Sequence, residues 1–156
     1  MDKVPMILLL CLLLAGCSSP FERLWAGVAE CQLDSLYLDA STLKPGNAEL
    51  AHFTPYKVAN GFAWYRTRET LGEVPISGFL IPTSTFEVHA LFIDAPIANA
   101  RHLMVTRYGN DFSDEARHNA GEAPLLLRDP NNPKQSILDC TRDESGETTP
   151  DEPLAQ

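Results

Sequence analysis

Glu87 and His89 stand two residues apart in the stretch Thr85 to Asp94, and on a strand that spacing puts both side chains on one face. A carboxylate and an imidazole so placed are raw material for proton transfer or a metal site, and His102 joins them if its own segment pairs alongside. The spacing matches no metalloenzyme signature such as His-Glu-x-x-His, and ordinary exposed or hydrogen-bonded strand residues account for all three. A serine nucleophile would sit in a Gly-x-Ser-x-Gly elbow, which the chain lacks. The run Asn110-Asp111-Phe112-Ser113-Asp114-Glu115 offers many oxygen ligands but not the calcium-loop order of alternating acids, a glycine and a distant glutamate. It reads as a hydrated loop, or as a helix start capped by Ser113. The expectation is a chain with no metal or other cofactor, and no enzyme.

The thiols carry a sharper signal. Residues 4 to 13 form an uncharged run after Lys3 and stay apolar to Ala15. A bilayer-spanning helix needs about 20 apolar residues, so the run is short for a span and fits the apolar region of a secretory signal. It ends in Leu14-Ala15-Gly16-Cys17, which resembles the lipobox of bacterial lipoproteins; the resemblance covers residues 1 to 19 only. It implies cleavage before Cys17 and acylation of its thiol, with an uncleaved anchor helix as the alternative. Ser18, where an aspartate would favour the inner membrane, implies the outer membrane, facing the periplasm. With Cys11 lost with the signal and Cys17 bearing lipid, Cys31 and Cys140 remain. An exported protein matures in an oxidising space, so these two are expected to form a disulfide, two separate buried thiols being the alternative.

Removing residues 1–16 from a 156-residue chain leaves 140, one ordinary domain. The expected organisation is a signal peptide at 1–16, a short tether at 17–20, a single periplasmic domain at 21–140 and an acidic, disordered tail at 141–156. Hydrophobic residues make up 44% and charged ones 21%, enough apolar content to bury a core. The net charge is -9 and the basic residues are scattered from Arg23 to Arg142, so nothing resembles a phosphate-neutralising patch and nucleic acid is not expected as a partner. Surplus acid instead steers cationic partners.

The elements follow from periodicity. Phe21, Leu24, Trp25 and Val28 recur at helical spacing. Tyr56 to Arg66 reads as a hairpin turning at Asn60-Gly61, with Phe62, Trp64 and Arg66 on one face. Val74 to Ile81, broken by Pro75 and Gly78, reads as an edge or bulged strand. Thr85 to Asp94 is apolar on both sides in its second half, as a central, doubly covered strand would be. Arg101 to Tyr108 alternates like a further strand, and Leu125–Leu127 and Gln135–Leu138 are the last candidates. The fold expected is mainly β (α+β), an antiparallel sheet or small sandwich or barrel with one or two short helices.

Aromatic residues on the hairpin and acid on the loop suggest a protein-binding surface; Trp64, Asp111, Asp114 and Glu115 are its candidate residues. The functional expectation is a binding module held by lipid on a membrane, in its sharpest form an inhibitor or immunity protein that neutralises a toxic, cationic secreted enzyme. The alternative is an accessory of an outer-membrane or secretion assembly.

Overall fold

Ser19 starts the first helix by accepting a hydrogen bond from the Glu22 backbone N–H, while the Glu22 carboxylate accepts one from the Ser19 N–H. This reciprocal capping box satisfies donors that a helix start leaves unpaired, and Pro20 in the first turn has no donor to satisfy. The computed structural model describes residues 16–84, 87–113 and 124–141. Most of the expected signal and all of the acidic tail beyond Thr141 lie outside them, as do Asp114 and Glu115. Helix α1 spans Pro20–Leu24, so Ser19 and Pro20 belong to the fold and the expected tether at 17–20 is shortened to Cys17 and Ser18. A 3-10 turn at Val28–Glu30 follows, and Phe21, Leu24, Trp25 and Val28 all reach the core from these two short pieces.

The strands are β1 (Lys57–Ala59), β2 (Phe62–Arg66), β3 (Thr70–Leu71), β4 (Val74–Pro82), β5 (Val88–Ile93), β6 (Leu125–Arg128) and β7 (Ser136–Thr141). They form one antiparallel seven-stranded sheet in the order β1-β2-β4-β5-β7-β6, with β3 pairing β4 off that path. The sheet is open, with β1 and β6 at its edges. Asn60 (φ 53°) and Gly61 (φ 82°) close the β1–β2 hairpin with Ala59 opposite Phe62. Positive φ at both positions matches the right-handed twist of the flanking strands.

One sequence alternative is realised here and one expectation fails. β4 is bulged between Ile76 and Gly78, but it is central and not an edge, pairing with β2, β3 and β5. Pro75 is tolerated there because its carbonyl still accepts from Asp94 N–H at 2.9 Å, and Gly78 because a Cβ would stand 2.4 Å from the Tyr65 carbonyl oxygen. The stretch Arg101 to Tyr108 is not a strand but the body of helix α2, Ile97–Tyr108. Ile97, Ala100 and Met104 are buried at spacings of three and four, which is helical burial. Gly109, at φ 70°, ends the helix by donating its N–H to the Val105 carbonyl at 2.8 Å.

Alternation along the strands sends Ala63, Tyr65, Phe79, Ile81, Leu91, Ile93, Leu126 and Leu138 to one face, where the core lies. The helical segments cover that face through Phe21, Trp25, Leu50, Ala100 and Met104. Tyr65 stacks on Phe79 at 4.4 Å between ring centroids, Trp25 and Phe53 meet Phe79 edge-on, and Phe21 packs against it tilted at 6.0 Å. The pair Cys31–Cys140 is at disulfide distance, with Cα atoms 5.3 Å apart, and joins the turn after α1 to β7.

Candidate functional site

The face of the sheet turned away from the core is also apolar. Register places Trp64 opposite Leu80, Leu80 opposite Ala90, Phe92 opposite Ile137, and Ile137 opposite Leu127. Phe62, Val88 and Leu125 share the parity of this set. None of these side chains belongs to the core cluster or is among the partly buried residues packed against it. Most are half-buried, shielded by one another across the strands, and Leu127 is 38% exposed. An antiparallel sheet with one solvated face ordinarily alternates apolar-in with polar-out. Here five strands, β2, β4, β5, β7 and β6, carry apolar residues outward as well, and extended apolar patches with a polar rim mark interaction surfaces.

The rim is polar and fixed. Lys57 Nζ sits 4.5 Å over the Trp64 ring, the Phe62 ring meets Trp64 edge-on at 6.0 Å, and the Arg66 guanidinium lies 4.1 Å over Tyr56. Toward the other edge Asp139 accepts a hydrogen bond from the Thr141 hydroxyl at 2.8 Å. The hairpin end of the face therefore carries two cations, Lys57 and Arg66.

Of the partner-binding residues expected from the sequence, Trp64 lies on this outward face. Asp111 follows α2 and turns its carboxylate to the Ser113 backbone N–H at 3.1 Å. That hydrogen bond, with a smaller contribution from Arg101, holds the Asp111 carboxyl below its usual range. Asp114 and Glu115 fall outside the described residues.

The acid-base trio is taken apart. β5 pairs with β4 and β7, so His102, exposed on α2, does not face Glu87 and His89 across a strand pair. His89 is buried in the core with Nε2 2.7 Å from the Leu36 carbonyl oxygen. A carbonyl only accepts, so Nε2 is the donor in this hydrogen bond. Burial pushes its pKa down, against smaller opposing effects from the Leu36 carbonyl and Asp34. Among the described residues no group of three His, Cys, Asp or Glu side chains is placed to hold a metal ion.

Cys17 is exposed and stands two residues before the Ser19 helix cap. Arg23 ties this end down by donating to the Ser18 carbonyl and to both carboxylate oxygens of Glu49, at 2.8 and 3.1 Å. Leu80, Phe92, Ile137 and Leu127 were missed as surface candidates. Their signal was present as neighbouring apolar pairs in Phe79-Leu80, Leu91-Phe92, Leu126-Leu127 and Ile137-Leu138. Adjacent apolar residues on a strand mean two apolar faces.

The sequence matches no protein-family model, and neither curated proteins nor solved structures provide a match.

Proposed function

We propose that this chain is a lipid-anchored binding module that holds a protein partner against the open apolar face of its sheet, and that it acts as an inhibitor or immunity protein toward a secreted enzyme. The observation that carries this reading is the continuous outward set Phe62, Trp64, Leu80, Phe92, Ile137 and Leu127, which no helix covers among the described residues. Rigid aromatics such as Trp64, braced by Phe62 and Lys57, are the side chains that dominate protein interfaces. The net charge of -9 steers a cationic partner toward the molecule as a whole, while the contact itself rests on the apolar set and not on the Lys57 and Arg66 end of the face.

The anchor in this reading is lipid on Cys17, at the outer membrane and facing the periplasm. With two residues between lipid and helix cap, the partner meets the module close to the membrane surface. Mass spectrometry of the amino-terminal peptide tests the anchor directly. An acylated Cys17, lost with membrane association in Cys17→Ser, is the expected result.

The partner face is tested by photo-crosslinking amino acids placed at Trp64, Leu127 and, as a control, Val105 on α2. Crosslinks from Trp64 and Leu127 to one cationic enzyme, and inhibition of that enzyme by the purified protein, are the expected outcome. Equal crosslinking from Val105, or none from the sheet face, would sink the proposal. Crosslinks to envelope-assembly components without any inhibition would replace it by the accessory role.

A further inference from the structure

One row of paired residues crosses the outward face from edge to edge: Lys57, Trp64, Leu80, Ala90, Asp139 and Leu125, each opposite the next. A carboxylate thus stands inside the apolar set. Asp139 alternates to the same side of β7 as Ile137 and Thr141, and its Oδ1 accepts from the Thr141 hydroxyl at 2.8 Å. It is half-buried there. β7 is not an edge, because β6 lies outside it with Leu125 beside Asp139 and Leu127 beside Ile137. A partner that spans Trp64 and Leu127 therefore passes over β7 and covers this carboxylate.

No cation among the described residues neutralises it. Their ion pairs join Glu49 to Arg23 and to His52. Lys57, in the same row, is four strand spacings from Asp139, about 19 Å, and is held over the Trp64 ring as Arg66 is over Tyr56. Thr141 occupies one acceptor position of the carboxylate, so both oxygens keep acceptor capacity. An apolar surface laid over Asp139 would strip its hydration and return neither charge nor hydrogen bond, an uncompensated loss. The partner has to bring a cation to this point. A guanidinium suits it better than an ammonium, because it is more weakly hydrated and pairs with a carboxylate through two parallel N–H bonds.

We propose that Asp139 is the specificity-determining contact of the partner face and receives one arginine of the protein partner, with the guanidinium on the carboxylate and the methylene stem against Ala90 and Leu125. This assignment rests on the reading of the outward face as the partner surface and adds the chemistry of what meets it. Ala90 is the smallest side chain of the row and Leu125 is apolar, so both suit an aliphatic stem.

The test is selection of random dodecapeptides displayed on phage against protein carrying Cys17→Ser, which bears no acyl group of its own, keeping the peptides whose binding Trp64→Ser or Leu127→Ser removes. Those peptides should carry an arginine beside apolar residues, and the same selection against Asp139→Asn should lose it. By calorimetry, a synthetic peptide from the first set should bind at least about tenfold more tightly than its arginine-to-citrulline form, and Asp139→Asn should narrow that ratio to less than about twofold. Glu30→Gln, which removes the same charge from an exposed position on the 3-10 turn Val28–Glu30, should leave the ratio intact. Asparagine still offers Thr141 an acceptor, so the unfolding temperature of Asp139→Asn should be unchanged or higher. Face-dependent peptides without a selected arginine, or a citrulline penalty that persists in Asp139→Asn, would overturn the arginine contact and leave the partner face standing. Failure to select any peptide that depends on Trp64 or Leu127 would overturn the partner face and the contact with it. A lower unfolding temperature in Asp139→Asn would place the counter-cation within this chain, and a dimer in light scattering that Trp64→Ser dissociates would give the face to a second copy; either result refutes the contact.

Discussion

Replacing Cys31 and Cys140 together by alanine cuts the link between the turn after α1 and strand β7. The two residues are 109 apart in sequence with Cα atoms 5.3 Å apart, so the native backbone already holds them at bridging range. In the chain-entropy treatment, closing a loop of that length removes about 16 cal/mol/K from the unfolded chain, or about 4.8 kcal/mol at 25 °C. With a urea slope of about 2 kcal/mol/M for a domain of this size, the unfolding midpoint should fall by about 2.4 M. The slope itself should rise, because an unfolded chain without the cross-link exposes more surface. Urea titrations followed by fluorescence of buried Trp25 and by far-ultraviolet circular dichroism measure both quantities. Reduced wild-type protein and the double variant should give the same curve. A midpoint that moves by less than about 0.5 M, corresponding to about 1 kcal/mol, would refute the reasoning.

His89 supplies a pH dependence whose sign is fixed by its burial. Its folded pKa is pushed below the unfolded value of about 6.5, so between the two values the unfolded chain binds more protons. Stability should therefore hold above about pH 6.5 and fall below it by at most about 1.4 kcal/mol per pH unit. His89→Gln, which keeps a donor for the Leu36 carbonyl, should flatten that slope in urea titrations between pH 7 and 5; an unchanged slope would assign the titration to another group. Gly78→Ala places a Cβ 2.4 Å from the Tyr65 carbonyl oxygen, so β2 and β4 must part at the bulge. Thermal unfolding should register a loss of about 1 to 3 kcal/mol, and an unaltered transition would contradict the close approach. Leu127→Ser on the partner face should change stability by no more than about 0.5 kcal/mol yet reduce enzyme inhibition; full inhibition by this variant and by Trp64→Ser would remove the face from the proposed site.

Turn chemistry was the most transparent part of the chain. Asn60-Gly61 fixed the first hairpin and its register, because few other residues accept positive φ at both positions. Asp129 to Pro133 likewise marked the break between β6 and β7. Alternation misled at α2, where Arg101, Leu103, Val105 and Arg107 mimic a strand. The decisive spacing there begins earlier, at Ile97 and Ala100, and the stop is Gly109. Losing that strand also dissolved the His102 constellation, which depended on pairing rather than on local spacing. For β4 the bulged alternative is the one realised. Pro75 and Gly78 look like edge residues one at a time, yet a bulge and a close backbone approach accommodate both in the middle of the sheet.

The outward apolar face belongs to a different category, because its signal was read and its meaning was not. Apolar residues on both parities of β5 implied two covers, and a cover for the core face is supplied by α1, the 3-10 turns and α2. Local sequence cannot say whether the second cover comes from the same chain, since burial and binding make identical demands on side-chain hydrophobicity. What separates them is the rim. Lys57 over Trp64 and Arg66 over Tyr56 are half-solvated cation–π pairs, arrangements that keep aromatic rings ordered at a boundary with water instead of sealing them inside. A face held rigid before it is covered loses little side-chain entropy when a partner arrives. That preorganisation is why Trp64 is the first position to alter when the proposed capture is tested.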